Sequence, residues 1–383
     1  MRSIVLSLLF AAITSPLAAQ QATLTYLLGK DTSAIEQYSH QGNRIAGTMV
    51  QRAGAAVSVV RYDMTYGNDG RVTTARISRL QPDGSPLPNQ PTETRITVTR
   101  DSIVREIVRP DSVQRNAFAV RGATVAFPVY VYGPTEALAA ARRRGGASDS
   151  IPSLGLAGGP GFIGLEVAGG DTLRLRGAPY PMRLVFDANS RLQVMDGGMT
   201  TNKVIATRDT RSTVDIAALA RSMKPTGVLS ARDVARGAFG AGGIVLVDYG
   251  RPMVRERSVW GGALVPFDSV WRAGANDATH LFTTRVLTFG ETVVPPGSYT
   301  LWIQHTRNGT FLIVNRQTGQ WGTMYDPAQD VGRVPMQMAA TPSHVEEMTV
   351  TVRSLGGNRG AIDFSWGPSV ATASFTATVL PAR

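Results

Sequence analysis

Short runs rich in Val, Ile, Thr and Tyr, each closed by a turn of Gly, Asn, Asp or Pro, recur from about residue 24 to residue 379. β-branched and aromatic residues fit a pleated, half-buried surface, and such frequent punctuation leaves little room for long helical periods. Val57–Tyr62, Val72–Leu80, Arg95–Thr99, Ile103–Val108 and Val125–Tyr132 read as strands in the first half. Two hairpins carry matching turn chemistry. Tyr62–Tyr66 turns through Gly67-Asn68-Asp69-Gly70 into Arg71-Val72, and Met182–Phe186 turns through Asp187-Ala188-Asn189-Ser190 into Arg191-Leu192. Asn, Asp and Gly supply the left-handed and side-chain-capped conformations that tight reversals demand. Thr172–Arg176 alternates strictly, which predicts a strand with one solvated face. Strands resume later at Ile244–Asp248, Thr279–Thr284, Tyr299–Gln304, Phe311–Asn315, Met348–Val352, Ala361–Trp366 and Thr372–Val379. The expected fold class is mainly β, with two antiparallel β domains, the C-terminal one a β-sandwich or jelly-roll-like domain.

Three segments interrupt the pattern. Glu136–Ala141 followed by Arg142-Arg143-Arg144 and Gly145-Gly146 reads as a short helix whose last-turn cations complement its dipole. The Gly/Ser/Pro-rich stretch Gly145–Gly161 reads as a mobile loop. Within 209–240, Asp215–Ala220 and Ser230–Ala235 are short helical candidates separated by Pro225 and Gly227, the second with Ser230 as N-cap and Asp233 three residues on. We read 20–208 as an N-terminal β-rich domain, 209–240 as a helical linker and 241–383 as the C-terminal domain. All five tryptophans, at 260, 271, 302, 321 and 366, lie in the last part, which favours two independent cores.

Residues 1–19 have the pattern of a cleavable secretory signal. Arg2 is the positive start, Ile4–Ile13 the short apolar core, and Ser15–Ala19 a small-residue cleavage segment. The apolar core falls short of the ~20 residues a membrane-spanning helix needs. No cysteine occurs, so disulfides and a lipid anchor on cysteine are excluded. The expected location is the periplasm or beyond, with no transmembrane segment. The formal net charge is +11, and of the 39 basic residues all but Lys30, Lys203 and Lys224 are Arg. That skew is diffuse and follows composition, so no nucleic-acid partner is expected.

Known catalytic motifs are missing. Gly159–Gly164 matches the spacing of a dinucleotide fingerprint, but Pro160 sits inside it and Leu165-Glu166-Val167 continues as strand rather than helix. The four histidines are scattered, and His344-Val345-Glu346-Glu347 lacks the paired histidines of a zinc helix, so no metal site, catalytic residue or cofactor is assigned. Asp326 and Asp330 around Pro327 fit a capped turn better than a calcium loop. The segment that stands out is Val270–Thr279, which gathers Trp271, Arg272, Asn276 and Asp277 around a small-residue turn. Trp can stack on a polar small molecule or carbohydrate while Asn and Asp read hydroxyls. The same residues also serve as a purely structural brace, with Asx-turns and a core Trp. Trp321 and Asp326 complete the candidate ligand-binding set.

Residues 225–383 resemble the family of exported bacterial proteins known as domain of unknown function 2911. The resemblance rests on Val247–Pro252, Trp260–Pro266, Val270–Thr279, Pro296–Leu301, Gln320-Trp321-Gly322, Tyr325-Asp326 and Asp330-Val331, in that order. The family pattern usually has Glu at the place of Asp277 and Leu-Arg at that of Gly332-Arg333. It implies export and no defined reaction. The N-terminal region is similar in pattern to half-barrel lipid-carrier folds.

Three functions remain open from the sequence. The leading one is an exported, non-catalytic protein that binds a ligand or partner at the mouth formed by Trp271, Arg272, Asn276 and Asp277. The second is a hydrolase acting on an envelope or extracellular polymer, with Asp277 or Asp326 as carboxylates and His280 or His305 as base. The third is a structural envelope component. The signal assignment is directly testable: mass spectrometry of native material should find a chain that starts near Gln20, and Met1 retained in the cell membrane would refute it.

Overall fold

The computed structural model describes residues 20–379 apart from 55, 121–123, 126–130, 146–148, 155–158, 177–181, 199, 201–202, 212, 228 and 241. The leader expected at 1–19 and most of the strand expected at Val125–Tyr132 fall outside them. Strands take up 61% of the chain and helices 6%, so backbone polar groups are satisfied chiefly by inter-strand ladders.

The first sheet has fifteen strands between Gln20 and Arg208. Eight form an antiparallel meander: Gln20–Leu28, Asp31–Gln41, Arg44–Ala53, Ala56–Tyr66, Val72–Leu80, Glu93–Val98, Ile103–Arg109 and Ser112–Phe118. The other seven, from Thr124–Val125 to Val204–Arg208, run back from the opposite edge. The last strand thereby lies beside the first, with Leu24 opposite Arg208, Tyr26 opposite Ala206 and Leu28 opposite Val204. Both hairpins form as their turn residues require. Asp187 accepts from the amides of Asn189 and Arg191 at 2.9 and 2.8 Å, and Ser190 takes φ +61°.

One face of this sheet is apolar. Leu24, Tyr26, Ile45, Met49, Val60, Met64, Ile96 and Ile103 from the first meander join Leu173, Leu184, Phe186, Leu192 and Met195 from the second in one contiguous core. Helix Thr135–Arg143 lies on that face, and two carboxylates go under with it. Glu36, fully buried, accepts from Tyr26 and Tyr62 hydroxyls and from the amides of Tyr132 and Gly133, the amides both at 3.1 Å. Burial raises its pKa, and the four donors pull it back down only in part. Glu136 accepts from Tyr38 Oη at 2.6 Å, the Leu192 amide at 2.9 Å, Arg208 at 2.6 Å and Arg191 at 2.9 Å. Gly47 makes the row possible. It stands between Tyr38 and Tyr62 on the neighbouring strands, and a Cβ there would lie 2.5 Å from Tyr62 Oη and 2.7 Å from Tyr38 Cβ.

The second sheet has ten strands between Arg232 and Thr378, all antiparallel. Two long strands, Asp330–Ser354 and Arg359–Thr378, turn it into two layers. The start of Asp330–Ser354 pairs with Gly309–Asn315, and its remainder pairs with Arg359–Thr378 through register shifts near Val345. A β-bulge bends its strand and steepens the twist, which lets one strand serve both layers. The core between them is one cluster holding Val245, Val247, Leu281, Leu301, Leu312, Phe289, Phe364, Trp366 and Phe375. This is the sandwich expected of the C-terminal part.

Three local expectations need correction or refinement. Asp215 does cap helix Ile216–Ser222, accepting from the Ala218 amide at 2.8 Å. Ser230–Ala235 is not helical: Arg232–Phe239 is an edge strand paired residue by residue with Gly243–Gly250, and Ser230 has φ +58° rather than an N-cap geometry. A full ladder outweighs a local capping pattern worth about 1 kcal/mol. The second sheet therefore begins inside the stretch read as a linker. The Gly145–Gly161 segment is likewise no plain loop, because Ser150–Leu154 pairs with Pro160–Gly164. Pro160–Gly169 is strand throughout, as the broken fingerprint implied.

Because Glu136 holds two guanidinium groups against the core, Glu136→Ala should cost about 3–5 kcal/mol in urea unfolding, the usual penalty for stranding buried charge. Glu136→Gln, which keeps an acceptor but no charge, should fall between. A cost for the alanine variant below about 1 kcal/mol would show that the network carries no stability.

Candidate functional site

The two sheets meet along the turn Gly29-Lys30 and the loop 251–257. Lys30 pairs with Glu256, Arg255 pairs with Asp31, Lys203 Nζ donates to Ala263 O at 2.6 Å, and Arg52 Nε donates to Lys224 O at 2.7 Å. Gly29 is required at this joint: its φ is +63°, and a Cβ there would lie 2.4 Å from Arg255 O.

Between the sheets lies a cavity of about 390 Å³. That is enough for a small organic molecule. Tyr26, Leu28 and Val204 wall it from the first sheet, and Leu264, Trp271 and Trp366 from the second. Trp271 stacks on Trp366 with ring centroids 5.5 Å apart and planes 15° apart, and meets Trp260 edge-on at 6.3 Å. Edge strand Val270–Trp271 fixes its position by pairing with Ile303 and Gln304.

The charge of the lining is one-sided. Arg52, Lys203, Arg255, Arg257 and Arg272 line the cavity, and among the described residues no carboxylate does. Burial, then Arg272 and Arg257, lower the Lys203 ammonium to about 8. Burial and neighbouring Arg255 also lower the pKa of Arg257. Arg257 spends Nε and Nη2 on the carbonyls of Val254 and Met253, at 2.9 and 2.7 Å, while its buried Nη1 has no hydrogen-bond partner among the described residues. The indole N–H of Trp366, a residue 1% exposed, has none either. A buried donor without an acceptor costs about 1–3 kcal/mol.

Backbone strain gathers at the same place. Nine non-glycine residues among those described have left-handed backbone, and four of them, Lys203, Ser230, Arg255 and Asn276, line this cavity. Glu256 and Ala273, also left-handed, adjoin lining residues. Such conformations cost of order 1–3 kcal/mol each and concentrate where function over-determines the fold.

The candidate residues divide. Trp271, Arg272 and Asn276 come together on the cavity wall. Asp277 is exposed and faces away, bridged through the backbone to Trp321 and lying 4.0 Å from Arg232 Nη1. Trp321 is 44% exposed beside it. Asp326 is a cap: it accepts from the Ala328 amide at 2.9 Å and opens the 3₁₀ turn Pro327–Gln329. The residues considered for a hydrolase lie elsewhere as well. His280 Nε2 accepts the Gly319 amide at 2.8 Å, and burial, then Arg232, lower its pKa. His305 stacks on Phe267 at 5.0 Å, with Nδ1 2.8 Å from the Thr310 hydroxyl. Among the described residues no group of three or more His, Asp or Glu is placed to hold a metal ion. Sequence reasoning missed Lys203, the Arg255/Arg257 pair and Trp366, three places far apart along the chain; the one faint signal was Lys203, a rare lysine in an arginine-rich sequence.

No curated protein is similar to the chain. A solved structure of a DUF1089 family protein from Pseudomonas aeruginosa aligns at 11% identity over 43% of this chain and 90% of its own, with a TM-score of 0.31, too slight a likeness to support inference. Residues 230–375 match the family model described as Protein of unknown function (DUF2911), so the wall built from Arg255, Arg257, Leu264, Trp271, Arg272 and Trp366 belongs to that family region, and the wall built from Tyr26, Leu28 and Lys203 lies outside it.

Proposed function

We propose that this is an exported, non-catalytic binding protein whose ligand sits in the cavity between the two sheets. The observation that carries the reading is the coincidence at one place of unpartnered buried donors, like charges and left-handed backbone. Each of these costs stability, and a fold keeps such costs together where a bound molecule offsets them. Among the described residues the lining holds no carboxylate and no histidine, so the carboxylate and histidine pairs considered for a hydrolase are not assembled within it. The apolar walls and the stacked tryptophans suit a ligand held by contact rather than one converted. Periplasmic or extracellular location follows from the leader-like start and belongs to the same proposal.

Two tests address this reading. In thermal-shift titration against small-molecule panels, Trp271→Ala should abolish any ligand-induced stabilisation, whereas Asp277→Ala, which alters a residue outside the cavity, should leave it intact. Asn276→Ala should lower the ligand-free stability by about 1–2 kcal/mol, because the backbone there has φ +62°, which Asn tolerates and Ala does not. If Asp277→Ala abolishes the shift and Trp271→Ala does not, the ligand binds elsewhere.

The second test uses Lys203. Its pKa in the fold, about 8, lies below the ordinary 10.5, so between these values the unfolded chain binds more protons and this group's penalty on folding fades as pH rises. Lys203→Met should therefore stabilise the ligand-free protein at neutral pH, with the gain over wild type shrinking as pH climbs from 8 towards 10.5. A loss at neutral pH, or a gain that does not vary with pH, would show that the ammonium is not held under strain.

A further inference from the structure

We infer that the ligand of this cavity is an anionic amphiphile: a single oxyanion head met by Lys203, Arg257 and Arg272, with an apolar body along Trp271, Trp366 and Leu264. The inference rests on the binding reading above and specifies its chemistry.

The head group follows from what the lining offers. Its charged groups are all cationic. Arg255 already has Asp31 as a partner, but among the described residues Lys203 and Arg257 are held only by main-chain carbonyls, at 2.6–2.9 Å. Carbonyl oxygens satisfy donors without cancelling charge. Only an anion does both, and its hydrogen bonds to ammonium and guanidinium are about twice as strong as neutral ones. Two buried donors without an acceptor among the described residues, Arg257 Nη1 and the Trp366 indole N–H, call for an acceptor-rich ligand. A sugar would bring as many donors as acceptors into a lining already crowded with donors. Guanidinium forks fit carboxylate, sulfonate and phosphate alike.

The body follows from the remaining wall. Trp271 and Trp366 lie parallel at 5.5 Å, and Leu264, 3% exposed, continues the surface. A second, smaller cavity of about 40 Å³ shares Lys203, Leu264, Trp271 and Arg272 with the first, so these residues form the partition between two spaces. A bare inorganic anion would leave the tryptophan wall uncovered.

A matched pair of fluorescent probes tests this on the full mature chain. Anilinonaphthalene sulfonate and phenylnaphthylamine share an apolar body, and only the first carries an anion. The sulfonate should bind saturably and at least about tenfold more tightly than the neutral probe, a gap of about 1.4 kcal/mol. Lys203→Met should erase the preference and Lys203→Arg should retain it; Arg257→Met supplies a second neutralised variant if the first does not fold. Ser33→Trp, on the first-sheet wall, should block both probes. Equal affinity for the two probes, with both blocked by Ser33→Trp, would overturn the anionic head while leaving the cavity as a binding site. Binding of neither probe, or binding untouched by Ser33→Trp, would overturn the cavity reading as well. Displacement of the sulfonate probe by decanoate points to an acyl body and by naphthoate to an aromatic one; displacement by inorganic sulfate at the same concentration would reduce the site to a plain anion site and overturn the amphiphile.

Discussion

Two buried carboxylates organise the first sheet. Glu36 and Glu136 draw five tyrosine and arginine side chains and three main-chain amides into a face that is otherwise apolar. A buried charge is tolerated only when its lone pairs are met, so every donor must hold its place for any of them to be useful. The network therefore pins helix Thr135–Arg143 to the inner face and joins strands from both meanders. It also sets the floor of the cavity, because Tyr26 donates to Glu36 and lines the space between the sheets. The rigid wall on that side comes from hydrogen bonding, and the wall opposite comes from stacked tryptophans.

The joint between the sheets is organised differently. Its ion pairs, Lys30 with Glu256 and Arg255 with Asp31, are partly solvated and individually weak. What distinguishes it is tension: left-handed backbone, like charges and unpartnered donors in a single place. Family resemblance covers only one wall of this joint. The other wall comes from the first sheet, so the C-terminal family region alone does not enclose the cavity.

Much of the fold was legible because sheet periodicity is local. Val57–Tyr62 and Ile244–Asp248 announce strands through residues in contact along one strand, and Asp187-Ala188-Asn189-Ser190 announces its turn through its own side chains. Ser230–Ala235 misled because its capping pattern is also local, whereas the ladder that overrides it depends on Gly243–Gly250. The site divides in the same way. Trp271, Arg272 and Asn276 could be read as a group because a single turn carries them to the cavity. Lys203, Arg257 and Trp366 could not, since nothing in their neighbours along the chain marks them as facing one space. Asp277 and Asp326 looked alike as carboxylates in conspicuous motifs, yet one lies on the surface and the other closes a turn.

The order of strands in the first sheet bears on how the chain reaches its fold. Gln20–Leu28 pairs with Val204–Arg208, so the contact that joins the two meanders closes a loop nearly as long as the sheet's whole sequence. Contacts so distant along the chain form late, because loop entropy must be spent before they are rewarded. Until Val204–Arg208 arrives, the outer edge of the opening strand is an unpaired row of amides and carbonyls, open to pairing with other chains. The opening strand is thus an open edge until the last strand docks, and thereafter the middle strand of the fifteen.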